Sequence, residues 1–135
     1  MRNHGSILAL AVLAGLVALA ACSKRAHEST PLQPDQLAAL LAGEDAPLLL
    51  DVRTPEEFAQ GHVPGAKLIP LQELEARVGE LDAYEQRGVV AYCEVGGRAA
   101  KAAELLRARG FANVRLLEGS MQRWREERRE IETRP

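Results

Sequence analysis

The stretch with the residue types for chemistry is Cys93-Glu94-Val95-Gly96-Gly97-Arg98-Ala99. Its cysteine ends an apolar, β-branched run, Val89 to Tyr92, which follows Gly88 and reads as a buried strand. Beyond it, Ala99 to Arg109 reads as a helix, with small or apolar residues at Ala99, Ala102, Ala103 and Leu106. Arg107 and Arg109 fall in its last turn and Gly110 stops it. Cys93 is therefore expected on a strand-to-helix turn, where unpaired backbone N–H groups meet the positive end of a helix dipole. Such a turn stabilises a thiolate and makes it a nucleophile. Gly96 and Gly97 permit close approach or positive φ. A ring of N–H groups curled around the sulfur would suit a thiolate, a persulfide anion or an incoming oxyanion. The alternative is an inert core cysteine, the usual fate of a lone Cys on an apolar strand. The Gly-Gly-Arg run and the helix start weigh toward a reactive thiol.

Other elements must hold that turn in place. Asp35 to Leu41 reads as a short helix, with Leu37, Leu40 and Leu41 at helical spacing before Gly43. Leu48-Leu49-Leu50 is a continuous apolar strand, the kind buried on both faces of a parallel sheet. It runs into Asp51-Val52-Arg53, and then Thr54 reads as an N-cap with Pro55 at the first helical position and Glu56 and Glu57 in the first turn. Strand ends that lead into helices gather ligand sites in open α/β sheets. Asp51 and Arg53 could thus face the Cys93 loop, or form an ion pair that holds their own turn; the structural role is favoured. Gly61-His62-Val63-Pro64-Gly65-Ala66 is a turn leading into a strand at Lys67-Leu68-Ile69. His62 is read as bonded to neighbouring backbone rather than as a base for Cys93. Leu71, Leu74, Val78 and Leu81 mark an amphipathic helix from Leu71 to Leu81. Val114 to Leu117 reads as a strand, Trp124 as core, and Arg123 to Glu132, with both signs of charge, as a solvated helix. Alternating strands and helices imply an α/β domain whose mostly parallel central sheet carries helices on both faces.

The ordered set of motifs resembles the single-domain rhodaneses of the sulfurtransferase-like family. They are Leu50-Asp51-Val52-Arg53-Thr54-Pro55-Glu56-Glu57-Phe58, Gly61 to Ala66, the Cys93 loop, Gly110-Phe111-Ala112-Asn113-Val114, and Leu117-Glu118-Gly119-Ser120-Met121-Gln122-Arg123-Trp124. The match runs from about residue 35 to 130. The loop from Cys93 to Arg98 has six members, like the sulfur-handling members; phosphatase relatives on this fold use one more. The resemblance implies a three-layer rhodanese-like domain over residues 35–135, with Cys93 as the catalytic residue. Glu94, Val95, Gly96, Gly97, Arg98 and Ala99 would form the substrate-binding loop, with Asp51 and Arg53 in support. Sulfane sulfur would pass from a donor such as thiosulfate to a thiol or cyanide, with a protein acceptor as a further partner. Arg98 would anchor the anion or tie the loop to Asp51. No metal or organic cofactor is implied, and a monomer is expected. Many thiosulfate-using relatives carry a basic or neutral residue after the cysteine, where this chain has Glu94. A carboxylate there opposes a dianionic donor by about 1 to 4 kcal/mol, and Val95 adds an apolar wall, so weak thiosulfate activity is expected. A binding or sulfur-relay module without turnover is the alternative.

The 135 residues suffice for one domain, and 47% hydrophobic with 27% charged residues is a globular composition. A formal net charge of −2 gives no footprint for nucleic acid. Two cysteines in unlike contexts make no disulfide framework. Residues 1–21 read as a signal peptide: Arg2 precedes an unbroken apolar and small run of fifteen residues, Ile7 to Ala21, short of the roughly 20 a membrane span needs. Leu19-Ala20-Ala21-Cys22 resembles a bacterial lipobox, with Cys22 lipidated as the mature N-terminus. Ser23 after it is similar to lipoproteins sorted to the outer rather than the inner membrane. Residues 22–34, polar and with two prolines, read as the lipidated cysteine and a flexible tether. The expected location is the cell envelope, lipid-anchored and facing the periplasm.

Overall fold

Short apolar runs that bury both of their sides can only sit in a sheet covered on two faces, and the chain builds one. The structure, a computed structural model, describes residues 30–133. Its strands are β1 (Leu48–Asp51), β2 (Lys67–Leu68), β3 (Val89–Tyr92) and β4 (Val114–Leu116). They lie in the order β2-β1-β3-β4 with every pairing parallel. The helices are α1 (Pro34–Leu41), α2 (Pro55–Gln60), α3 (Leu71–Arg77), α4 (Gly97–Ala108) and α5 (Ser120–Glu126). Side chains alternate across the sheet. Leu48, Leu50, Val89, Ala91 and Cys93 join Leu74 of α3 and Ala99, Ala102, Ala103 and Leu106 of α4. Leu49, Val90 and Tyr92 join Leu37 of α1 and Met121 and Trp124 of α5. The expected three-layer α/β domain is what the chain forms.

Three sequence expectations shift. The segment read as the end of the tether belongs in part to the domain: Leu32 is buried, pairs beside Leu117 and donates its N–H to Leu116 O. The signal peptide (1–21) and the lipidation site Cys22 lie outside the described residues. The Leu71 to Leu81 helix is α-helical only to Arg77 and then tightens into a 3₁₀ segment, Val78–Tyr84. Gly79 is a poor helix former, and 3₁₀ turns commonly finish α-helices. The charged tail after Trp124 is not a continuing helix. α5 ends at Glu126, Arg128 takes φ +53, and Glu132 pairs with His62 through two backbone hydrogen bonds of 2.8 and 2.9 Å. Among the described residues no helix is long and apolar enough to cross a membrane.

Candidate active site

Register determines which loops meet. Asp51 lies opposite Tyr92, so β1 and β3 end level, and Val52 donates its N–H to Tyr92 O at 3.1 Å. From β1 the chain moves to β2 on one side, and from β3 to β4 on the other. The cleft between their carboxyl ends is the switch point where open parallel sheets bind ligands. Asp51, Arg53 and Cys93 converge there.

β3 ends at Tyr92, Cys93 is buried, and Gly96 caps α4 in a left-handed conformation with φ +111. That φ is open to glycine and costs another residue about 1–2 kcal/mol. It turns the Gly96 N–H onto Cys93 Sγ at 3.0 Å. α4 then presses small residues, Ala99, Ala102 and Ala103, against the sheet, which allows close approach and brings its first turn to the cysteine. The amides of Gly97, Arg98 and Ala99 precede the first intrahelical bond, from Ala100 N–H to Gly96 O. In place of the expected ring of amides, among the described residues the Gly96 N–H is the amide bonded to the sulfur, with the Arg98 side chain beside it at the positive end of the helix. Val95, expected to add an apolar wall, is 69% exposed.

Helix α5 clamps the same loop from the other side, which sequence reasoning missed. Ser120 Oγ accepts from Cys93 N–H at 3.3 Å, while Met121 and Gln122 donate their N–H groups to Cys93 O and Glu94 O, each at 3.0 Å. The unpaired amides of a helix start are thereby used by the loop carbonyls. Gly119 (φ +69) and Ser120 (φ +51) make the turn that aims them. The only sequence sign was a glycine and a serine before an apolar-spaced helix.

Charges lock the loop to its neighbours. Arg53, wholly buried, reaches Asp51 through Nε (3.0 and 3.1 Å) and a terminal nitrogen (2.7 Å), and it also donates to Gly61 O at 2.9 Å. Burial works against its charge, but the hydrogen bond and charge of Asp51 override it, so the Arg53 guanidinium pKa is raised. Removing one partner from such a buried pair costs about 3–5 kcal/mol. The reading of Asp51 and Arg53 as an ion pair holding their turn holds, and Arg53 extends it to the loop by reaching Glu94 at 3.4 Å. Arg98 faces the Cys93 thiol, whose charge and hydrogen bond help to raise its pKa, but it departs from one role expected of it. It does not tie to Asp51; both of its terminal nitrogens grip the Glu57 carboxylate at 2.6 Å. Glu57 also caps α2, bonding Thr54 N–H at 3.0 Å while its own N–H reaches Thr54 Oγ1 at 3.2 Å. The Arg98 hydrogen bonds hold the Glu57 carboxyl down from 4.5 to about 2, partly offset by burial, and Glu57 in turn raises the Arg98 pKa.

Glu94 is not the bare carboxylate that opposition to an anion assumed. It bridges Arg53 and Arg125 of α5. His62 has the structural part read for it: its ring stacks on Phe58 at 3.5 Å, Nδ1 lies 2.9 Å from Phe58 O, and Nε2 lies 3.5 Å from the Glu132 carboxylate. No hydrogen bond or ion pair among the described residues joins it to Cys93. The Tyr92 hydroxyl accepts from Val63 N–H at 3.1 Å, and burial, with Asp51 beside it, pushes its pKa up, so it stays protonated. Among the described residues no three His, Cys, Asp or Glu side chains gather as a metal-binding group.

A parallel α/β domain that presents one buried thiol at its switch point, under a helix start, defines a class of cysteine-loop proteins suited to anionic sulfur. Comparison narrows the class. The rhodanese-like domain family model matches residues 33–127, and the chain belongs to that family. It is 34% identical over 93 residues to a sulfurtransferase of Allochromatium vinosum, covering 69% of this chain and 85% of that one. It is likewise 34% identical over 103 residues to the human thiosulfate:glutathione sulfurtransferase, covering 67% and 89%. Among solved structures, a rhodanese-related protein from Thermoplasma volcanium superposes with a TM-score of 0.68 at 28% identity, over 77% of this chain and 98% of that one. Human single-domain sulfurtransferase gives 0.62 at 30% identity, over 72% and 96%. At the level of the family, the chemistry supported is rhodanese-type sulfur transfer.

Proposed function

We propose that the domain moves sulfane sulfur through a persulfide on Cys93, from a donor such as thiosulfate to a thiol or cyanide acceptor. One observation carries this reading: the Gly96 N–H directed at Cys93 Sγ at 3.0 Å on the turn that opens α4. The Cys93 thiolate attacks the outer sulfur of thiosulfate. The donor S–S bond breaks, sulfite departs with the bonding pair, and Cys93 is left as an anionic persulfide. An acceptor thiolate or cyanide then takes the terminal sulfur and restores the Cys93 thiolate. The Gly96 N–H and the positive end of α4 stabilise the sulfur anion at both stages. Donor and acceptor supply every atom and electron, so the cycle calls for no cofactor. Thiosulfate is used weakly on this reading, because the loop's own Glu94 already holds the Arg53 and Arg125 guanidiniums.

Intact-mass measurement after thiosulfate treatment tests the reading. The chain gains one sulfur atom, loses it as thiocyanate on adding cyanide, and gains none as Cys93→Ser. An unmodified Cys93 in a folded chain would leave a binding module that docks a partner without chemistry. On the same reading the domain is held at the bacterial envelope by lipid on Cys22, facing the periplasm from the outer membrane. Cys22→Ala should then move it from the membrane to the soluble periplasmic fraction.

A further inference from the structure

Each guanidinium at the loop already holds a carboxylate. Arg98 holds Glu57, and Arg53 holds Asp51. The third carboxylate, Glu94, is shared between Arg53 and Arg125. These carboxylates do different work. Asp51 is wholly buried, and Glu57 caps α2, so both are structural. Glu94 sits one residue from Cys93, is about one-third exposed and caps nothing; among the described residues its carboxylate is held by those two arginines alone. Arg53 contributes a nitrogen fixed by the core, and Arg125 a second from the surface of α5, 40% exposed. An anion between two guanidiniums is the arrangement in which proteins hold carboxylates and oxyanions of sulfur or phosphorus.

We infer that Arg53 and Arg125 form a two-guanidinium oxyanion subsite on the Cys93 loop, which Glu94 occupies in place of a donor's sulfonate. The inference rests on the sulfur-transfer reading for its purpose and names the donor class, a sulfane sulfur borne on an oxyanion. Glu94 is then an internal competitor. A dianionic donor must displace it from Arg125, so binding is weak while the recognition groups remain present. Arg125, in a stretch the sequence presents as a solvated helix, is the specificity-determining residue.

Sulfate, which has the oxyanion but no sulfur to give, separates binding from transfer. Calorimetric titration at low salt should show Glu94→Gln binding sulfate ~tenfold tighter than the wild type, the size a unit charge nearby gives at a protein surface. Glu94→Ala should tighten it similarly. Glu94→Gln combined with Arg125→Gln should return to wild-type affinity or weaker. The inference is overturned if Glu94→Gln and Glu94→Ala bind sulfate no better than wild type, or if the gain survives loss of Arg125. A chain that takes no sulfur from thiosulfate yet gains sulfate affinity through Arg125 keeps the subsite and loses the sulfur-transfer reading. One that forms the persulfide with no such gain keeps the reaction and loses the subsite.

Discussion

Two helix starts face the Cys93 loop, and the chain uses them in opposite ways. At α4, Gly96 turns its N–H to the sulfur, and the next amides are left ahead of the first intrahelical bond. At α5, the amides of Met121 and Gln122 are spent on the carbonyls of Cys93 and Glu94, and Ser120 Oγ takes the Cys93 N–H. One start supplies a field for an anion; the other supplies a mechanical clamp. The glycines that precede them show the same division. A Cβ on Gly96 would meet open space, whereas one on Gly119 would lie 2.4 Å from Arg123 Cβ. The first glycine leaves a place beside the sulfur open, and the second closes a packed corner. A reactive turn therefore needs two supports: a polar end aimed at the ligand, and a second element that keeps the loop from relaxing away from it.

The largest effect should come from breaking the clamp. Gly119→Ala meets both a left-handed φ and the Arg123 side chain, so we expect a stability loss of about 3 kcal/mol, read by chemical denaturation. Sulfur transfer per folded molecule should fall with it. Unchanged denaturation midpoints would mean that α5 does not hold the corner as described.

Substitutions confined to one function each sharpen the contrast. Gly96→Ala has room for its methyl but not the φ, and should cost about 1–2 kcal/mol. Because its N–H serves the sulfur, persulfide formation should slow by more than the stability loss suggests. Ser120→Ala leaves the Cys93 N–H without its acceptor and should cost about 1 kcal/mol, with a milder effect on rate. If the two variants lost rate in equal proportion to stability, the division between field and clamp would fail.

Local features of this arrangement were legible in the sequence, and long-range ones were not. The β1 and β3 strands, the Thr54-Pro55 start of α2 and the cysteine on a strand-to-helix turn each follow from a few neighbouring residues. The sequence offers Arg98 an anion or Asp51, and the carboxylate it holds lies 41 positions away, on α2. Only the β1–β3 register brings them together. The Thr54-x-x-Glu57 spacing is a local capping-box signature, but nothing local reveals that the same carboxylate also holds the loop. The clamp from α5 is made by backbone amides, which no side-chain pattern records. In the tail, mixed charges suggested a helix, but Arg128 turns left-handed and Glu130 O accepts from Trp124 Nε1 at 2.7 Å.

The mildest test concerns the ionic tie between α2 and the field-supplying helix. Glu57→Gln keeps a side chain that can still cap Thr54 but removes the charge held by Arg98, an interaction worth about 1 kcal/mol at a pair about one-third exposed. The Arg98 hydrogen bonds lower the Glu57 carboxyl from 4.5 to about 2 in the folded chain, so the folded state binds its proton less readily than the unfolded state. The tie therefore contributes in full above about pH 4.5, fades as acid first protonates the unfolded chain, and is gone once pH falls through about 2. Wild type should exceed Glu57→Gln in stability by a constant margin at neutral pH, and the two curves should converge across that acid window. A margin that persists unchanged to pH 2 would show that Glu57 acts through its shape and its cap, and that the α4 start is positioned without the ion pair.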